Sequence, residues 1–195
     1  MNDWSVNNMI KDDKEKRIFE VALKLFVEKG IDNTSTSLIS KEAGIAAGTL
    51  YIYFENKEDL INKLYISLKK ESMALVCPDP SETSLSFEYL EKLWMNGVEW
   101  GVNNLDKYKF IMQFQSSPYN TEDIEALFTP YKKNLVRLIK GGIKNKKLKD
   151  LPPDYIFELI LTHFVYTVGY IVQTKTKERR IFFETLLDAI KYDKS

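Results

Sequence analysis

A chain of 195 residues, 44% of them hydrophobic, is long enough to bury a substantial core in one or two domains, and its 28 Lys/Arg balance its 28 Asp/Glu. That balance excludes bulk positive charge as the source of any nucleic-acid affinity, since residues 1–60 alone carry eight Lys/Arg against eleven Asp/Glu. The single cysteine, Cys77, excludes an internal disulfide or a multi-cysteine zinc site; with no signal-peptide pattern and no run of bilayer-spanning length, the cytoplasm is the expected compartment and no membrane partner is expected.

Prolines and glycines are few, and between them apolar residues recur every three or four positions, which specifies an all-α chain without strand or hairpin patterns. Residues 1–11 lack a clear period and are expected to form a mobile arm. Asp12 then offers a cap with Glu15 three residues on, and Ile18, Val21, Ala22, Leu25 and Phe26 follow at helical spacing up to Gly30, a natural stop.

After Ile31, the polar run from Asp32 to Thr36 makes a turn and supplies a hydroxyl cap for a short helix carrying Leu38, Ile39 and Ala43, which Gly44 ends. Ile45, Leu50 and Phe54 anchor the next helix, leaving Ala47, Gly48, Thr49, Tyr51, Ile52 and Tyr53 wholly or partly outside. Asn56 caps a further helix, with Glu58 and Asp59 in its first turn and Leu60, Ile61, Leu64, Tyr65 and Leu68 along its apolar side to about Met73. Pro78 and Pro80 break the chain. Longer, more aromatic helices are expected at roughly 84–103, 107–116, 121–146, 154–174 and 177–192, with Pro130 kinking or interrupting the third of these.

The stretch 34–54 carries the functional chemistry: two short helices joined by a glycine turn, the second presented outward, suit the major groove of B-DNA. Ala47 and Gly48 allow close approach, and Thr49 offers a hydroxyl and a methyl to base edges. Tyr51 and Tyr53 carry hydroxyls suited to phosphates. Thr36 and Ser37 at the start of the preceding helix, and Lys57 at the start of the following one, are placed to hold the DNA backbone. The competing reading is a helix hairpin inside an all-α core, its tyrosines half-buried for packing.

Arg17-Ile18, Ala22, Leu25-Phe26, Gly30, Ser35-Thr36, Ile39, Ala43-Gly44-Ile45, Gly48-Thr49-Leu50-Tyr51, Tyr53-Phe54, Lys57-Glu58 and Leu60 follow one another without insertion in a pattern that resembles the tetracycline-repressor-like (TetR) transcriptional regulators. Two positions depart from it. Ser40 stands where the family usually has alanine and can bond back to its own helix; Ala47 stands where a long polar residue often reads bases. The resemblance implies about nine helices: a helix-turn-helix DNA-binding domain, here 1–56, and an effector-binding and dimerisation domain, here 57–195. It further implies a homodimer on a pseudo-palindromic operator, an interface made by the last two helices, and a pocket for a small effector.

For that pocket Trp94, Phe114, Tyr131 and Phe164 are the expected lining, each lying on the apolar stripe of a different helix; packing into the core is the alternative for every one. Gly97 and Gly101 allow close helix approach. His163, the only histidine, lacks marked partners for a metal site or a triad and reads as a core or interface residue; no catalytic residue, cofactor or metal is expected, so a helical enzyme is disfavoured. The basic run 140–149 reads as a solvated helix end, and Cys77 as an inert thiol. The expected function is therefore a repressor released from its operator by a small apolar or aromatic molecule; the rival is a DNA-bound factor that recruits another protein and needs no effector.

Overall fold

The computed structural model describes residues 3–192 except Pro78, Pro80 and Thr83, and describes side chains from Asp13 onward. Among the described residues there are ten helices and no strand: α1 (Asp3–Lys29), α2 (Thr36–Glu42), α3 (Ala47–Tyr53), α4 (Lys57–Val76), α5 (Phe87–Asn103), α6 (Leu105–Gln115), α7 (Glu122–Ala126), α8 (Thr129–Lys144), α9 (Pro153–Thr174) and α10 (Arg180–Ile190). The all-α expectation is met.

Two boundaries differ from expectation. Helix α1 begins at Asp3 rather than Asp12, so residues 3–11, expected as an arm, are its first turns; no glycine or proline stands between Asn2 and Lys29 to stop the helix earlier. Met1 and Asn2 lie outside the described residues, as do Pro78 and Pro80, which were read as the breakers after α4. The expected helix 121–146 is two helices, because Pro130 occupies the first turn of α8, where its missing N–H costs nothing, instead of a helix interior. This division raises the count from nine to ten.

The chain separates into two compact units, Met1–Lys69 with Leu105–Ile124, and Lys70–Asn104 with Glu125–Ser195. These units do not follow the expected division at residue 56. In the first unit Ile18, Ala22 and Phe26 of α1, Ile39, Leu50, Phe54, and Leu60, Ile61 and Leu64 of α4 are buried together. Helix α6 completes this core: Phe110 stacks on Phe26 with ring centroids 5.7 Å apart, and Phe114 stacks on Tyr65 at 3.8 Å.

The second unit is a helical layer of α5, α8, α9 and α10 around Leu90, Trp94, Val98, Ile139, Ile160, Val168, Phe183, Leu186 and Ile190. Gly97 lets α9 approach α5, since a Cβ there would stand 3.0 Å from a Phe164 ring carbon. Two lysines of the basic run serve the fold, a use the sequence reading of a solvated end did not foresee. Lys149 Nζ donates to the Asp188 and Ala189 carbonyls at 3.0 Å each, closing the last turn of α10, and Lys147 Nζ donates to Leu85 O at 3.0 Å.

Helix α9, 22 residues long, is apolar enough by length and composition to cross a bilayer, which the sequence reading had excluded. One such helix is weak evidence for a membrane, and much of its apolar surface lies on an outward face: Tyr155, Leu161, Tyr166 and Tyr170 are exposed, Tyr166 at 70%.

Candidate nucleic-acid interface

The α2–turn–α3 hairpin is positioned by local chemistry on both sides. Before it, Gly30 takes φ +88° to end α1, and the fully buried Thr34 donates its hydroxyl to Gly30 O at 2.9 Å, with Leu25 O 3.3 Å away. Ser35 then caps α2, accepting from Leu38 N at 3.2 Å. Thr36 and Ser37 lie in the first turn, Ser37 Oγ 2.9 Å from Ser35 Oγ. Ser40 returns its hydroxyl to Thr36 O at 2.9 Å, the back-bond expected for a serine in alanine's place.

Gly44, at φ +65°, reverses the chain after α2, and Ile45 N reaches back to Ser40 O at 3.0 Å. Arg17 lies over this turn, its Nη2 3.3 Å from where a Gly44 Cβ would be, a close approach its flexible side chain could relax, so it is the positive φ that calls for glycine. Helix α3 buries only Leu50, and Phe54 at its end is buried against Phe19, with ring centroids 5.4 Å apart. Ile45, expected as a third anchor, is half-buried. The α4 start is capped as expected, Asn56 Oδ1 accepting from Asp59 N at 2.9 Å while Asp59 Oδ2 accepts from Glu55 N at 3.0 Å.

These anchors leave one outward surface. Ala47, Gly48, Tyr51 and Ile52 are exposed, Thr49 and Tyr53 half-buried, and a Cβ on Gly48 would meet nothing within 4 Å. Thr36 Oγ1 and Tyr51 OH are 3.0 Å apart, tying the first turn of α2 to the middle of α3. Lys57 Nζ donates one of its three protons to Asp32 O at 3.2 Å, which aims the ammonium toward the turn before α2. The eight residues singled out from the sequence all lie in the first unit; of them the structure joins Thr36 to Tyr51 directly, while Lys57 reaches the turn before α2. The sequence placed Thr34 in the turn before α2 and Arg17 at the head of the family-like pattern, but not their contacts: the Thr34 hydroxyl bond to Gly30 O and the position of Arg17 over the Gly44 turn depend on the folded chain.

Of the four aromatics expected around a pocket, Trp94, Tyr131 and Phe164 belong to the second unit and Phe114 to the first. Trp94 and Phe164 lie in the second unit, Trp94 with its ring 5.6 Å from His163 and 5.7 Å from Phe183. Phe114 is in the core of the first unit, and Tyr131 on α8 is 38% exposed beside Phe128. Trp94 Nε1 and His163 Nδ1 are buried without a hydrogen-bond partner, and burial pushes the His163 pKa down. An open recess of about 280 Å³ in the second unit is lined by Leu75, Asn96, Glu99, Trp100, Asn103 and Asn104, none of them among the four.

Residues 18–64 match the bacterial regulatory proteins of the tetR family. An HTH-type transcriptional regulator of Haemophilus influenzae is 32% identical over 114 residues, which span 58% of this chain and 60% of that protein. The HTH-type transcriptional regulator YhgD of Bacillus subtilis is 27% identical over 82% of this chain and 81% of its own length. A TetR family transcription regulator from Marinobacter aquaeolei VT8 has the same fold, with a TM-score of 0.84 over 95% of this chain and 100% of that one at 20% identity. With its helix-turn-helix residues in the places just described, residues 18–64 are the part of the chain that matches the tetR family of bacterial regulatory proteins, and the chain as a whole shares the fold of a TetR family transcription regulator.

Proposed function

We propose that the chain is a cytoplasmic, homodimeric repressor that binds a pseudo-palindromic operator through α3 and leaves it when a small apolar or aromatic effector binds the second unit. The observation that carries the DNA-reading part is the outward surface of α3, with Gly48 open, Tyr51 exposed, Thr49 half-buried beside them, and Tyr51 held to Thr36 by a hydroxyl pair 3.0 Å apart. Thr49 reaches base edges, while Thr36, Ser37, Tyr51, Tyr53 and Lys57 hold phosphates on either side. The contacts depend on hydroxyls and one ammonium because the chain carries no net charge.

The dimer reading rests on the outer face of α9 and on α10. Tyr155, Tyr166, Tyr170 and Ile181 expose apolar surface there, and Gly169, with nothing within 4 Å of a Cβ position, leaves room for a second helix backbone. Two α3 helices must stand about 34–36 Å apart to enter successive major grooves, so an effector that prefers another separation draws the population off the operator. Helix α4, which contributes residues to both units, is the element we assign to carry that change. A second reading, a DNA-bound factor without effector, is favoured by Tyr131, one of the four aromatics expected around a pocket, being 38% exposed.

Operator duplex binding of the wild type and of Thr49→Ala, followed by fluorescence anisotropy, tests the reading. The variant is expected to bind at least tenfold more weakly while sedimenting like the wild type; equal affinity would remove α3 as the reader. Small-molecule addition that lowers wild-type affinity supports the effector reading over the effector-free one.

A further inference from the structure

Direct reading of a base pair in the major groove follows a small vocabulary: Arg or Lys for guanine, Asn or Gln for adenine, Asp or Glu for cytosine, and apolar contact for the 5-methyl group of thymine. Helix α3, Ala47–Tyr53, contains none of the first three kinds. Its neighbours with charge, Lys41 and Glu42 on α2 and Glu55 beyond α3, lie off the helix. What α3 offers outward, besides the hydroxyls of Thr49 and Tyr51, is Ile52, 70% exposed.

Folding gives no reason for an isoleucine at this position. A β-branched residue is a poorer helix former than the straight-chain polar residues common on exposed faces, and Ile52 gains almost no burial in return. Its surroundings are specific. Side chains on a helix lean over the turn that precedes them, so Ile52 stands over Gly48, four residues earlier. Gly48 has no side chain, needs no positive φ, and leaves the space above it open to 4 Å. Ile52 and the bare backbone of Gly48, four residues apart, lie on the same face of α3, with nothing within 4 Å of a Gly48 Cβ position.

Resting on the assignment of α3 as the reading helix, we propose that Ile52, standing over Gly48, is a specificity-determining residue that packs on the 5-methyl group of a thymine, so that each half-site carries an A·T pair there. Thr49, whose side chain ends in a methyl as well as a hydroxyl, extends the same preference to a neighbouring base pair. The half-site is then read chiefly by methyl groups and hydroxyls.

The test uses the full-length protein and a duplex selected by it from random-sequence DNA, in which each thymine in turn is replaced by deoxyuridine, identical except for the missing methyl. One symmetric pair of replacements is expected to weaken wild-type binding about fourfold per half-site, the value of one buried methyl group. Ile52→Ala is expected to bind the thymine duplex with the same loss and to be indifferent to deoxyuridine at that position. Because Ile52 is exposed, the variant's thermal unfolding should match the wild type, which circular dichroism checks. Wild-type binding that is insensitive to every replacement, or an Ile52→Ala protein as sensitive as the wild type, overturns this inference and leaves operator binding intact. A wild-type protein that selects no duplex overturns the operator reading and this inference together.

Discussion

Thr36 Oγ1 on α2 and Tyr51 OH on α3 lie 3.0 Å apart across the helix hairpin. Two hydroxyls hold two protons, and one of these is engaged between the pair whichever residue donates. The other remains for an outside acceptor, carried by Thr36 or Tyr51 according to which of them donates within the pair; in the proposed complex that acceptor is a phosphate oxygen. Tyr51 is thereby held on an exposed surface where an unpartnered side chain would otherwise sample several rotamers.

Removing either hydroxyl should consequently have similar effects. Tyr51→Phe and Thr36→Val are each expected to weaken operator binding by about 1–1.5 kcal/mol, roughly five- to tenfold in Kd. The double variant should lose much less than the sum, because both substitutions break the same unit. Anisotropy titrations of all four proteins check this, and strict additivity would show two independent contacts.

Gly48 separates folding from function. It sits in a helix with open space around it and a negative φ, so Gly48→Ala should stabilise the fold by about 0.5–1 kcal/mol. The added methyl fills the surface that DNA must approach, and operator affinity should fall several-fold. Chemical denaturation and binding measured on one preparation give the two signs, and a stabilised protein of unchanged affinity would show that nothing approaches Gly48 closely.

The assignment of α9 to a dimer interface predicts that Tyr166→Glu produces monomers. Tyr166 is 70% exposed, so the substitution spares the subunit's fold while placing two like charges in the interface. Analytical ultracentrifugation should show loss of the dimer, with operator binding weakened in parallel; a dimer unaffected by the charge would move the interface elsewhere.

His163 gives a pH signature that can be read at a single residue. Burial holds its ring pKa below the ordinary value of about 6.5, so as pH falls the unfolded chain takes up the proton before the folded one. Stability is then unaffected above that value and declines as pH falls through it, levelling off below the folded-state pKa. Since His163 is the only histidine, one imidazole resonance in a proton NMR titration reports it, and His163→Gln should remove this part of the decline. A resonance that titrates at or above the ordinary value would contradict its buried placement.

What could be read from the sequence was what local chemistry determines. Gly30, Gly44, Asn56 and the apolar anchors Leu50 and Phe54 specify the α2–α3 hairpin within a few residues of one another, and the hairpin lies where they indicate. The hydroxyl cap expected from the run between Asp32 and Thr36 is supplied by Ser35. The placement of α6 was not legible. Phe110 and Phe114 form an apolar stripe that fits any core, and only the tertiary partners Phe26 and Tyr65 put them in the first unit. The same ambiguity applies to the four aromatics chosen for a pocket, because an aromatic on an apolar stripe has the same local pattern in a core as beside a ligand. Pro130 was ambiguous in another way: a proline both ends one helix and starts the next, and the spacing of Leu127 and Phe128 does not separate a kink from a break.

The central claim, that two copies of α3 read one DNA site, is tested most directly by letting the purified protein select fragments from random-sequence DNA and sequencing what it retains. An enriched inverted repeat is expected, with half-site centres about 10–10.5 base pairs apart or a multiple of that, and with its enrichment lost in Tyr51→Ala. Retained fragments no different from the starting pool, or a single site without a repeat, would contradict it.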